Sequence, residues 1–139
     1  MTPRIDGILE TCLYADDLDK AEQFYSEVLG LKLSSKAGGR HLFYVCGNRM
    51  LLLFDPRVTS ETHDSPEFAP PHGASGPGHV ALSIPPDAYD NWRQHLAANN
   101  VGIEKEIQWG DRGRSLYFRD PSGNSLEVTI PAIWGLETP

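Results

Sequence analysis

Arg119-Asp120-Pro121-Ser122-Gly123-Asn124-Ser125-Leu126-Glu127-Val128-Thr129-Ile130 is the stretch on which the reading of this chain turns. Asp120 to Asn124 carry turn chemistry: proline presets φ, and glycine and asparagine tolerate positive φ. The flanking residues alternate as strands do, with Leu126, Val128 and Ile130 facing one way and Glu127 and Thr129 the other. A carboxylate in an apolar strand is costly to bury without a counter-charge. A metal ion at Glu127 meets that cost, provided the fold brings further ligands to it.

Upstream, the chain repeats itself. His41-Leu42-Phe43-Tyr44-Val45 aligns with Ser115-Leu116-Tyr117-Phe118-Arg119, and Gly47-Asn48-Arg49-Met50-Leu51 with Gly123-Asn124-Ser125-Leu126-Glu127. Each half reads strand, helix, strand, strand, strand. In the first half the strands are Gly7 to Ala15, Leu31 to Ser35, His41 to Cys46 and Met50 to Phe54. Leu18, Ala21, Phe24, Tyr25, Val28 and Leu29 form a helical stripe, capped by Asp16-Asp17 and stopped by Gly30. In the second half, strands are expected at His79 to Ile84, Val101 to Gln108, Ser115 to Arg119 and Ser125 to Ile130. A helix opens at Pro85-Pro86 and ends at Asn99-Asn100, with Ala88, Trp92 and Leu96 inward. Ile133 and Trp134 are expected to dock on the body. Between the halves, Asp55 to Gly78 has no period and holds five prolines, which suits a linker or a functional loop such as a lid. The expected organisation is one domain over 1–139, with modules at 7–56 and 77–131 and a linker at 57–76.

The totals are consistent with that. A chain of 139 residues with 40% hydrophobic content can build one core. A net charge of −7 argues against a nucleic-acid or anionic-membrane binder, and no apolar run reaches transmembrane length. The N-terminus has no signal-peptide core, so Cys12 and Cys46 are expected as reduced thiols in a cytoplasmic protein.

Period-2 logic assigns the sheet faces. Leu9, Leu13, Met50, Leu52, Phe54, Val80, Leu82, Ile84, Leu126, Val128 and Ile130 form an apolar layer for the helices to cover. Glu10, Cys12, Tyr14, Leu51, Leu53, His79, Ala81, Ser83, Glu127 and Thr129 form the opposite face, which His41, Phe43 and Tyr117 join if they keep the alternation. In the repeat, Glu10 corresponds to His79, and Leu51 to Glu127.

The series Asp16-Asp17-Leu18-Asp19-Lys20-Ala21-Glu22-Gln23-Phe24-Tyr25, Val28-Leu29-Gly30-Leu31, Gly76-Pro77-Gly78-His79-Val80-Ala81 and Phe118-Arg119-Asp120-Pro121-Ser122-Gly123-Asn124-Ser125-Leu126-Glu127-Val128 resembles the vicinal-oxygen-chelate superfamily over nearly the whole chain. That group includes glyoxalase I, extradiol dioxygenases, fosfomycin- and bleomycin-resistance proteins and methylmalonyl-CoA epimerase. The resemblance implies an α+β fold of two βαβββ modules, whose curled mixed sheet surrounds a divalent metal. It also implies a homodimer with sites at or near the subunit interface.

Carried over by position, the implied metal ligands are Glu10, His79 and Glu127, with Leu51 where four-ligand glyoxalases have a glutamate. One imidazole and two carboxylates suit Mn²⁺, Fe²⁺, Ni²⁺, Zn²⁺ or Mg²⁺ with positions open to substrate. The missing fourth ligand argues against a standard glyoxalase I, and the missing second histidine against a standard two-histidine dioxygenase. The chemistry implied is bidentate chelation of a small oxygenated substrate, with Glu127 or Glu10 moving a proton. The alternative is a metal-free drug-binding protein of the bleomycin-resistance type, whose acidic cleft would suit a cation.

Other residues carry two readings each. Glu127 is a ligand or the solvated face of an edge strand. Tyr14, Phe43, Tyr117 and Trp109 are pocket walls or interface aromatics. Cys12 reads as a small packed residue, with a substrate contact the alternative. His41 reads as a hairpin-end surface residue, with a substrate-side role the alternative. His72 is a lid residue or a plain loop residue, whereas His63 and His95 face solvent. Arg112 and Arg114 form a solvated hairpin tip or an anion site.

Overall fold

The computed structural model describes residues 1–138. The chain divides into two compact units, one covering residues 1–75 and the other beginning at Gly76.

The first unit holds strands β1 (Glu10–Tyr14), β2 (Lys32–Ala37), β3 (His41–Cys46) and β4 (Arg49–Phe54) in the spatial order β1-β4-β3-β2. β1 runs parallel to β4, and the other neighbours are antiparallel. Helix α1 (Leu18–Gln23) starts at Asp17, whose carboxylate accepts from the Lys20 amide at 3.0 Å. The helix then widens into a π turn over Phe24–Val28, with Leu29 N–H bonding to the Phe24 carbonyl at 3.1 Å. The wider turn lets the consecutive rings of Phe24 and Tyr25 both be buried. Gly30, at φ 68°, ends the helix in the left-handed conformation open to glycine. Beneath it lie Leu13, Leu42, Tyr44, Leu51 and Leu53, all buried. A buried leucine or aromatic side chain contributes about 1.5–3 kcal/mol. The Tyr44 hydroxyl stays paired inside this layer, 3.0 Å from Ser26 Oγ. After β4 comes a short helix, α2 (Pro56–Thr59), capped by Asp55.

The second unit repeats the plan with β5 (His79–Ser83), β6 (Ile103–Gln108), β7 (Arg114–Arg119) and β8 (Ser125–Thr129), ordered β5-β8-β7-β6. Helix α3 (Tyr89–Ala98) covers one face with Tyr89 and Leu96 against buried Leu116, Phe118, Leu126 and Val128. Pro85-Pro86 do not open this helix. They precede a turn closed by the Ala88 amide on the Pro85 carbonyl at 3.0 Å, because a residue ahead of proline is pushed out of the helical region. Asn100, at φ 59°, follows the last turn. Both sheets carry a bulge at the same place, between Leu33 and Ser35 in β2 and between Ile103 and Lys105 in β6. The shared defect supports a duplicated module more strongly than the low sequence identity of the halves.

The structure corrects the face assignment in β4. Glu10 pairs with Met50, Cys12 with Leu52 and Tyr14 with Phe54, so these six share the open face. Leu51 and Leu53, 2% and 0% exposed, lie under the helix instead. The cause is turn length. Two residues, Gly47-Asn48, join Cys46 to Arg49, whereas five, Asp120 to Asn124, join Arg119 to Ser125. Aligning the two Gly-Asn pairs slips the register by one, which exchanges the faces. The β4 residue equivalent to Glu127 is therefore Leu52, not Leu51; it is still not a carboxylate. Trp134, in a 3₁₀ turn over Pro131–Trp134, is 77% exposed rather than docked, and Ile133 is half-buried. Cys12 is exposed rather than packed, and both cysteines are free. No helix among the described residues is long and apolar enough to cross a membrane.

Candidate functional site

The turn Asp120 to Asn124 determines where the second unit presents its polar groups. The Asp120 carboxylate accepts from the amides of Ser122 and Asn124 at 3.0 and 2.9 Å. The Asn124 side chain donates to Asp120 Oδ2 at 2.9 Å and accepts from the Gly78 amide at 2.8 Å. Ser125 N–H returns to the Gly78 carbonyl at 2.9 Å. The start of β5 is thereby tied to the start of β8, and His79 is the next residue.

The His79 ring is fixed through Nδ1, which donates to the Ser125 carbonyl at 2.9 Å. A carbonyl can only accept, so Nδ1 carries a proton and Nε2 is the nitrogen turned toward Glu127. Nε2 lies 3.4 Å from Glu127 Oε1. Glu127 sits on β8, an interior strand, and is 5% exposed, which rules out the solvated edge-strand reading. Its other oxygen, Oε2, accepts from Ser115 Oγ at 2.5 Å. Ser115 Oγ accepts in turn from Trp109 Nε1 at 2.8 Å, and the neighbouring Thr129 hydroxyl donates to the Arg114 carbonyl at 2.9 Å. In the sequence, the alignment of Ser115 with His41 is the one signal of a functional place, on the open face.

Tyr117 lies opposite Glu127 in the ladder, its ring 6.4 Å from His79 and 26° from parallel. Burial, and then the negative charge of Glu127, push the Tyr117 phenol above its ordinary value. Arg114 packs its guanidinium 3.9 Å over Tyr89 and lies 3.5 Å from Asp90, a structural role. Tyr89 is pushed up to about 12, mainly by burial and then by its bond to Glu106.

In the first unit, Glu10 is exposed at the start of β1. Tyr14 at the other end places its hydroxyl 2.5 Å from His72 Nδ1. Burial, and next Cys12, raise the Tyr14 phenol to about 12, so it donates to the imidazole. His72 also packs edge-on to Phe54 at 4.9 Å, and its amide bonds the Thr59 carbonyl at 2.9 Å. Those contacts make it a strap residue for its loop. His41 is buried, not a surface residue. Its ring stacks 3.9 Å from Phe43, with Nδ1 against Arg40 at 2.5 Å and Nε2 by Ser35 at 3.3 Å.

Burial first, and then the Arg40 charge, push the His41 imidazole below its ordinary value. The unfolded chain therefore binds the extra proton more readily. The resulting stability is complete above about pH 6.5, the free imidazole value, and declines as pH falls toward the folded value. A thermal melt at pH 5.5 should come below one at pH 7.5, and His41→Gln should reduce that difference.

Among the described residues no three His, Cys, Asp or Glu side chains stand close enough to hold an ion together. The pair His79 and Glu127 is of a residue type that suits a metal: Nε2 and Oε1 lie 3.4 Å apart, each side chain anchored from behind.

The chain is similar over most of its length to several proteins. It is 26% identical over 121 residues to glutathione transferase FosA of Serratia marcescens, spanning 87% of this chain and 78% of that one. It is also 26% identical over 126 residues to metallothiol transferase FosB of Staphylococcus epidermidis, spanning 89% and 81%. A crystal structure described as lactoylglutathione lyase from Agrobacterium tumefaciens superposes with a TM-score of 0.90 at 41% identity, over 96% of this chain and all of that one. A glyoxalase/bleomycin resistance protein/dioxygenase from Nocardioides superposes at 0.71 with 26% identity, over 93% and 85%. Since the profile of the Glyoxalase/Bleomycin resistance protein/Dioxygenase superfamily also matches residues 7–128, the chain belongs to that superfamily.

Proposed function

We propose that this protein is a divalent-metal-dependent enzyme acting in the cytoplasm on a small oxygenated or thiol-adduct substrate. In this reading His79 and Glu127 are the ion's ligands, whereas Glu10, on the first unit, forms no three-residue cluster with them among the described residues and is kept as the carboxylate that moves a proton. The facing of His79 Nε2 and Glu127 Oε1 at 3.4 Å carries this reading. An imidazole nitrogen and a carboxylate oxygen set side by side, with the ring oriented through Nδ1, are a donor pair that suits a divalent cation. The names of the relatives, a metallothiol transferase, a glutathione transferase and a lactoylglutathione lyase, support both the enzyme class and thiol-type substrates.

When bound, the ion supplies Lewis-acid stabilisation to two neighbouring substrate oxygens. The two carboxylates divide the remaining work. Glu127, locked through Oε2 by Ser115, is the anchor, while exposed Glu10 has the freedom to move a proton. Tyr14, Phe43, Tyr117, Cys12 and His41 form or support the substrate walls. The assembly we propose is a homodimer with its sites at or near the subunit contact. Exposed Ile5, Ile8 and Leu9, close together in sequence ahead of β1, support it, since a run of exposed apolar side chains marks an interaction surface.

Elemental analysis of the purified protein tests the proposal. Wild type should carry or accept one ion per chain, and His79→Ala should lose it. No ion under any loading would leave only the drug-binding alternative.

A further inference from the structure

The open face of the first unit holds a cavity of about 590 Å³, lined in part by Glu10 and Phe43 of the proposed substrate side. Its floor is β4, through Met50, Leu52 and Phe54, with Phe43 beside them and the 67–72 loop closing one side. The rings of Phe43 and Phe54 meet edge-to-face at 5.3 Å and 74°. This is the size and lining of a small-molecule site, apolar with few polar groups.

One cation stands in that wall. Arg40 places its guanidinium carbon 5.6 Å from the centre of the Phe54 ring, with Nη1 against His41 Nδ1 at 2.5 Å. An arginine has five N–H donors, and His41 occupies one. Arg40 enters none of the ion pairs found among the described residues. Glu10 and Glu67 also line the cavity, and both are exposed. Their charge is therefore better screened than that of half-buried Arg40, which lies against aromatic surface.

We propose that this cavity takes the body of a small organic anion: a planar aromatic ring in the Phe43–Phe54 corner and a carboxylate-type group on Arg40. The planar guanidinium fork matches a carboxylate, and the aromatic floor accepts a ring edge-on or offset-stacked. The inference rests on the proposed function only in taking this face as the substrate side, and it specifies the substrate as an aryl anion.

The test uses the full chain stripped of metal, so that failure of the metal centre and failure of this site are separable. Calorimetric titration compares 2-naphthoate, 2-naphthylmethanol and 2-naphthylmethylammonium. The carboxylate should bind at least about tenfold more tightly than the alcohol, as a charge-assisted pair in an apolar wall would give. Arg40→Gln should erase that preference, Arg40→Lys should keep part of it, and Phe43→Ala should weaken all three ligands. Equal affinities in wild type, a preference for the ammonium, or no saturable binding would each overturn the assignment.

Discussion

Glu127→Gln should lower Mn²⁺ affinity by more than about 100-fold while leaving the fold intact. Losing a group behind a metal ligand typically costs 10–100-fold, and here the proposed ligand itself is lost. The amide has nearly the shape of the carboxylate, so Ser115 keeps a neighbour. What disappears is the negative charge facing His79 Nε2 at 3.4 Å. Manganese titration followed by electron paramagnetic resonance measures the loss, and circular dichroism checks the fold. Ser115→Ala should cost about tenfold, because the carboxylate would then be free to turn. Glu10→Gln should cost least, since Glu10 is exposed and is assigned to proton movement rather than anchoring. If Glu127→Gln bound manganese as wild type does, the pairing would be an ordinary histidine–carboxylate contact.

Asn124→Ala should destabilise the protein by about 1–3 kcal/mol, because it takes the acceptor from the half-buried Gly78 amide and one donor from the buried Asp120 carboxylate. Asn124 is 2% exposed. Its removal leaves the Gly78 amide without its acceptor and takes one donor from Asp120 Oδ2. The change should appear as a lower denaturant midpoint at unchanged slope. Because Gly78 precedes His79, the same variant should also bind manganese more weakly than an equally destabilised core variant such as Leu96→Ala. A loss of stability with full metal affinity would mean that the turn braces the fold and plays no part in placing His79.

Much of this was legible in the residues. The helical stripe around Phe24 and Tyr25, the Gly30 stop and the alternation about Glu127 are local patterns, and local sterics set them. The duplicated plan was legible because both halves repeat the same order of periods. The β4 register was not. Met50 to Phe54 are apolar on both faces, so hydrophobicity could not say which side met the helix, and a two-residue turn opposite a five-residue turn misled the alignment. Burial of His41 and the Ser115 bond to Glu127 were equally hidden, since each depends on a neighbouring strand.

By itself, then, the order of residues determined the element types, the duplication, and the candidacy of His79 and Glu127 through the Asp-Pro-Ser-Gly-Asn turn between their strands. The tertiary structure alone decided which β4 side chains share a face with Glu10, and which nitrogen of His79 meets the Ser125 carbonyl. It also decided what holds Glu127 in place. Periodicity within a strand is a property of that strand's own backbone, whereas register and hydrogen-bond partnership are properties of two strands together, which no single stretch of sequence contains.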